Sequence, residues 1–244
     1  MRDGPIPAGM QHQRLAVEGG GGHRPGDRDR RAAMAAVPGP QNLDTLTVAT
    51  RPDGGTRRGV VISFDRTSRT ATGAKPAAAT QFVFLFDRSV SFDPAKFPTC
   101  ARAVLEADGP DGCPPGSQVG RGAATSYPSG TADVLVFSTR YANGLRGVLI
   151  TVPANGVILE NTFERVTGPY GKDFRWASDE LLPSALPPAE RGATTRFQVS
   201  FGAASTDPYG RTHSFAERRG PAGTFGLWSR FTTGQVLLLT DRTT

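Results

Sequence analysis

The chain has 244 residues, with 28 Lys+Arg against 22 Asp+Glu, 30 Gly, 20 Pro, 3 His and 2 Cys. Gly and Pro are abundant but follow no G-X-Y period, which excludes collagen. Three His and two Cys are too few for a finger-type zinc framework, and no run of about 18 apolar residues offers a membrane span. The net charge of +6 comes almost wholly from Arg, since Lys75, Lys96 and Lys172 are the only lysines. These Arg stand singly or in pairs, without the interleaved aromatics of a single-strand binder. The pattern is that of a solvated surface and argues against a nucleic-acid partner.

Residues 1–42 form a Gly/Pro/Arg-rich stretch that includes Gly19-Gly20-Gly21-Gly22. It lacks the apolar area needed to offset its ordering entropy, so it is expected to be a disordered tail. No secretory h-region is recognisable, although Ala32-Ala33-Met34-Ala35-Ala36-Val37-Pro38 looks like the small-residue end of one. The tail is therefore read as a mis-chosen start or a degraded leader.

From residue 43 the pattern changes to short strands. Leu46–Thr50 leads through the turn Pro52-Asp53-Gly54-Gly55 into Gly59–Phe64. A polar stretch, Asp65–Lys75, precedes Gln81–Phe86, an aromatic run suited to burial on both faces. Further strands are expected over 132–138, 147–152 and 157–163. Later ones follow at 195–201, 225–231 and 235–240. Thr195, Phe197, Val199 and Phe201 alternate with polar residues, the period of a half-buried strand. Helical signal is confined to one turn near Pro94 and a short helix over 101–107. The expected fold is all-β, an immunoglobulin-like or jelly-roll-like β-sandwich, with 43–244 as a single domain.

Cys100 and Cys113 are separated by ARAVLEADGPDG. They admit three readings: a disulfide worth roughly 3 kcal/mol in the chain-entropy model, two free thiols, or a reactive thiol. The last would need a nearby base, and no histidine lies in the local sequence. A disulfide would place the chain in an oxidising compartment.

The segments around these cysteines carry a family resemblance. Lys96-Phe97-Pro98-Thr99-Cys100, and then Cys113-Pro114-Pro115-Gly116-Ser117-Gln118-Val119-Gly120-Arg121-Gly122, resemble the KFPxC and CPxGSxxGxG elements of a family of secreted proteins. Its members come from high-GC actinobacteria and related soil bacteria, and they have no assigned activity. The resemblance implies a secreted or cell-envelope β-sandwich with a Cys100–Cys113 disulfide, and it supplies no catalytic residues. Relatives commonly carry a signal peptide and often a second Cys pair beside a Trp-bearing strand. Here Pro221–Trp228 keeps the Trp without the cysteines.

Catalytic signals are sparse. There is no G-x-S-x-G elbow, and Gly116–Gly122 lacks the Lys-Ser/Thr of a phosphate loop, so it is read as a turn between strands. His213-Ser214 and the carboxylate pairs Asp179-Glu180 and Asp108 with Asp111 are weighed and set aside. No catalytic, cofactor-binding or metal-ligating residue is therefore expected. Trp176, Tyr170 and Tyr141 are the candidate surface-binding residues, for a cell-wall polymer, a glycan or a protein. The functional expectation is a non-catalytic binding or structural module. A carbohydrate-directed hydrolase on the same scaffold is the alternative, and an anion- or nucleic-acid-binding β domain a weaker one.

Overall fold

A computed structural model describes residues 39–182 and 184–243. The tail expected over 1–42 lies outside the described residues up to 38. Its last residues correct the expected boundary, because Asn42 is buried and bonded to the domain.

The all-β expectation holds. In chain order the strands begin with β1 (Leu43–Pro52), β2 (Val60–Arg69), β3 (Ala79–Asp87) and β4 (Val90–Phe92). After the short helix α1 (Arg102–Asp108) come β5 (Gln118–Ser126), β6 (Thr131–Arg140), β7 (Arg146–Val152), β8 (Val157–Arg165) and β9 (Phe174–Leu181). The last group is β10 (Thr194–Phe201), β11 (Ala204–Thr206), β12 (Thr212–Ser214), β13 (Ala216–Arg218), β14 (Gly223–Phe231) and β15 (Val236–Thr243). Eleven of them form one antiparallel sheet in the order β1-β2-β10-β5-β6-β7-β8-β9-β3-β14-β15. The arrangement is barrel-like, because the two edge strands lie side by side. Gln235 exchanges hydrogen bonds with the backbone of Asn42, and the Asp241 carboxylate accepts from the Val48 N–H (2.6 Å).

Alternation explains why the sheet rolls. Phe82, Phe84 and Phe86 of β3 point inward, as do Phe197, Val199 and Phe201 of β10, and Phe225 and Leu227 of β14. Phe64 meets Phe84, Phe86, Phe201 and Phe225 edge-on, with ring centroids 5.2–6.2 Å apart. The end of the barrel carrying the β1–β2 connection, here called upper, is stoppered by Phe92, Phe97 and Phe215, which pack on Phe163 and Phe86.

The lower half of the interior is different. Arg66 is only 2 % exposed. Its guanidinium lies over Phe82 and Phe231, and its Nε donates to Asp44 at 2.7 Å, a carboxylate with no exposed surface. Burial lowers the Arg66 pKa, and the Asp44 charge opposes that shift.

Two local expectations are corrected. Gly116–Gly122 is not wholly a turn. Gly116 alone takes the left-handed conformation (φ +80°), and residues from Gln118 onward run as β5. Gly120 and Gly122 serve close approach instead, because a Cβ there would collide with the carbonyl oxygens of Ser200 and Gln198 on β10. The polar stretch beginning at Asp65 is likewise the second half of β2.

Candidate functional site

Cys100 and Cys113 are joined in a disulfide. It ties α1 over the outer wall of β6 and β7, where Cys100 and Leu105 cover Phe137 and Leu149. The three candidate surface aromatics occupy separate places. Trp176 is inward-facing and half-buried against the main core, with Arg165 stacked 4.5 Å from its ring centroid. Tyr170 packs outside the sheet with Val83, Leu85 and Phe174. Tyr141 sits at the β6–β7 hairpin and donates to the Asn161 carbonyl (3.0 Å), and burial pushes its hydroxyl pKa upward. The most exposed aromatic is Tyr209, at 84 %, in the turn between β11 and β12.

The carboxylate pair Asp179-Glu180 does not converge on one cleft. Neighbours on a strand face opposite ways. Asp179 accepts from Gln81 Nε2 (2.7 Å) on the outer face, whereas Glu180 points into the barrel and is 1 % exposed. Burial, reinforced by the Asp179 charge, raises the Glu180 pKa to about 8.

A concavity of about 330 Å³ does form on the upper cap. Thr56, Ser91, Phe92, Asp93, His213, Ser214 and Glu217 line it. Four separate segments build it. The β1–β2 connection folds across because Gly55 and Gly59 leave room for the Ser214 and Asp53 side chains, which a Cβ at either position would strike. β13 pairs with β4 and sets Glu217 beside Ser91. Phe215, fully buried, pins the junction between β12, which carries His213 and Ser214, and β13, which carries Glu217, and its carbonyl accepts from the Asp93 N–H (3.0 Å).

The polar groups of this cap are oriented by one another. Glu217 Oε1 accepts from Thr56 Oγ1 (2.6 Å). Ser214 Oγ donates to Asp53 (3.2 Å) and accepts from the Thr56 N–H (2.8 Å), so this hydroxyl is committed to holding the loop. His213 Nε2 faces a different carboxylate, Asp207, at 3.2 Å. Asp207 also accepts from the Arg211 and Tyr209 N–H groups (2.9 Å each), and the Arg211 bond is the main cause of its lowered pKa. His213 and Ser214 therefore do not form the charge-relay pair that their adjacency invites. What the concavity offers is two carboxylates, two outer hydroxyls, an imidazole and the Phe92 ring. Such a set holds a neutral polyhydroxylated ligand by matched donors and acceptors.

Sequence reasoning noticed His213 but missed Thr56, Ser91, Asp93 and Glu217. They come from segments brought together only by the cap's pairing, and each alone is an ordinary polar residue. Among the described residues, no group of three His, Cys, Asp or Glu is placed to hold a metal ion, and no helix is long and apolar enough to cross a membrane.

No family model, curated protein or solved structure matches this chain.

Proposed function

We propose that this chain is a secreted or cell-envelope binding protein that takes a carbohydrate in the cap concavity without transforming it. The observation that carries this reading is the lining itself, in which Asp93, Glu217, Ser91, Thr56 and His213 present a dense hydrogen-bonding surface beside Phe92. The extracytoplasmic placement is supported by the disulfide, which persists in oxidising compartments, and by the KFPxC and CPxGSxxGxG resemblance.

The test is a glycan and cell-wall polysaccharide binding screen on the disulfide-intact protein, followed by calorimetry on the best ligand. Asp93→Asn and Glu217→Gln are each expected to weaken binding about tenfold or more, the scale of one charge-assisted hydrogen bond. Unchanged affinity in both variants refutes the site. A second reading, a carbohydrate hydrolase, is favoured by one observation only, the presence of two carboxylates in the same concavity. Turnover of chromogenic glycosides that is abolished in both variants would establish it in place of simple binding.

A further inference from the structure

A second concavity, of about 410 Å³, opens beside β9 and is lined by Arg88, Arg165, Val166, Gly171, Phe174 and Arg175. Three of its six lining residues are arginines and none is acidic. Among the described residues, none of the three guanidiniums takes part in an ion pair. Each is nevertheless held in place. Arg88 Nη1 donates to the Gly171 carbonyl at 2.7 Å. The Arg165 guanidinium lies over the Trp176 ring. Arg175 is the extra residue of a β-bulge, since Phe86 pairs with Trp176 while Asp87 pairs with Phe174. A bulge re-aims the side chain it carries. The Nε of Arg175 is completely buried and has no hydrogen-bond partner.

Two neighbouring carboxylates are engaged elsewhere, and Asp173 is exposed and does not line the concavity. Asp87 accepts from the Ser89 and Thr224 N–H groups, and Glu164 from the Thr162 hydroxyl. Three held cations are thus gathered around one concavity without an ion-pair partner, and one of them has a buried donor left over. Leaving such a donor unmade costs stability, and an acceptor brought to it would recover that cost. The guanidinium fork matches tetrahedral oxyanions, and the half-buried Val166 adds one apolar side chain to the lining. The volume falls within the small-ligand range of about 300–1,000 Å³, more room than an inorganic anion fills.

We infer that this concavity is an oxyanion site for a phosphate or sulfate ester, with the charged group on Arg88, Arg165 and Arg175 and the organic substituent toward Val166. The inference is independent of the carbohydrate reading, because the two concavities share no lining residue.

Titration of the full chain with phenyl phosphate, inorganic phosphate and inorganic sulfate at low salt, followed by amide NMR, tests it. Saturable shifts at Gly171, Phe174 and Arg175 are expected, with phenyl phosphate at least threefold tighter than inorganic phosphate. Arg165→Gln and Arg175→Gln should each lower the affinity about tenfold, while Arg121→Gln on β5 leaves it within twofold. Should Arg175→Gln fail to fold, Arg175→Lys keeps the charge and loses the fork, and the same weakening is expected. No saturable binding, or equal binding in the Arg165 and Arg175 variants, overturns the site. Phenyl phosphate binding no tighter than inorganic phosphate overturns the ester assignment.

Discussion

The two halves of the barrel interior are packed by different chemistry. The upper half is a phenylalanine cluster in which Phe64, Phe86, Phe201 and Phe163 interlock edge to face, with Phe215 tilted against Phe163. The lower half is built around the Arg66–Asp44 pair, the lone Glu180, and the hydrogen-bonded Asn161 and Ser178. Dispersion and burial are non-directional, so the upper half gains stability from almost any good apolar fit. A buried ion pair gains little net stability, because desolvation offsets the attraction, but it fails badly when one partner is missing. One half therefore supplies bulk stability, and the other punishes a wrong register.

The sharpest way to break this comparison is to damage both halves equally. Phe84→Ala should cost about 3–5 kcal/mol in urea denaturation. Arg66→Met should cost about as much, because it leaves Asp44 charged and buried. Only the second is rescuable. Arg66→Met combined with Asp44→Leu should return to the wild-type midpoint or above it. If the double variant is as unstable as the single one, the pair is not acting through charge.

Glu180 sharpens the comparison through pH. Its folded pKa, about 8, lies above the ordinary carboxyl value of 4.5. Below pH 4.5 the group is protonated folded and unfolded, and it costs nothing. As pH rises from there toward 8, the unfolded chain releases the proton first, so stability falls and then levels off. Glu180→Gln should flatten this decline and exceed the wild type at pH 9 by a few kcal/mol, measured by denaturation at pH 5 and 9. Parallel pH profiles in the two proteins would remove Glu180 from the account.

The disulfide lies outside both halves. Replacing Cys100 and Cys113 by Ser should cost about 3 kcal/mol through loop entropy and leave the Glu180 pH profile unchanged. The smallest effect belongs to the closure of the sheet. Asp241→Ala removes the acceptor of the Val48 N–H and should cost about 1 kcal/mol, with faster hydrogen exchange at Val48.

The same division decides what the sequence reveals. Strands whose inward positions are apolar, such as Gln81–Phe86, Thr195–Phe201 and Phe225–Phe231, announce themselves by alternation or by aromatic runs. β9 stays hidden, because its inward residues are Trp176, Ser178 and Glu180, and no apolar period survives. The lower part of β2 reads as a polar loop for the same reason, since Arg66 and Ser68 face the interior. β5 is masked by the glycines that its approach to β10 requires. The site is less legible than the fold. The cap lining spans residues 56 to 217, and the oxyanion concavity depends on a bulge that shifts Arg175 by one position. Neither leaves a local pattern.

The meeting of β1 and β15 has one more consequence. In a sheet where every neighbour is antiparallel, eleven strands leave the first and last running in the same direction. Asn42 faces Gln235 and Val48 faces Asp241, six residues further along both strands, as a parallel pair requires. An odd count thus forbids the barrel from closing in the pattern it uses everywhere else. The closure is made by side chains reaching across, like stitches rather than weave. It is there that the wall should part first when the protein breathes, and a second chain's edge strand would find a foothold there.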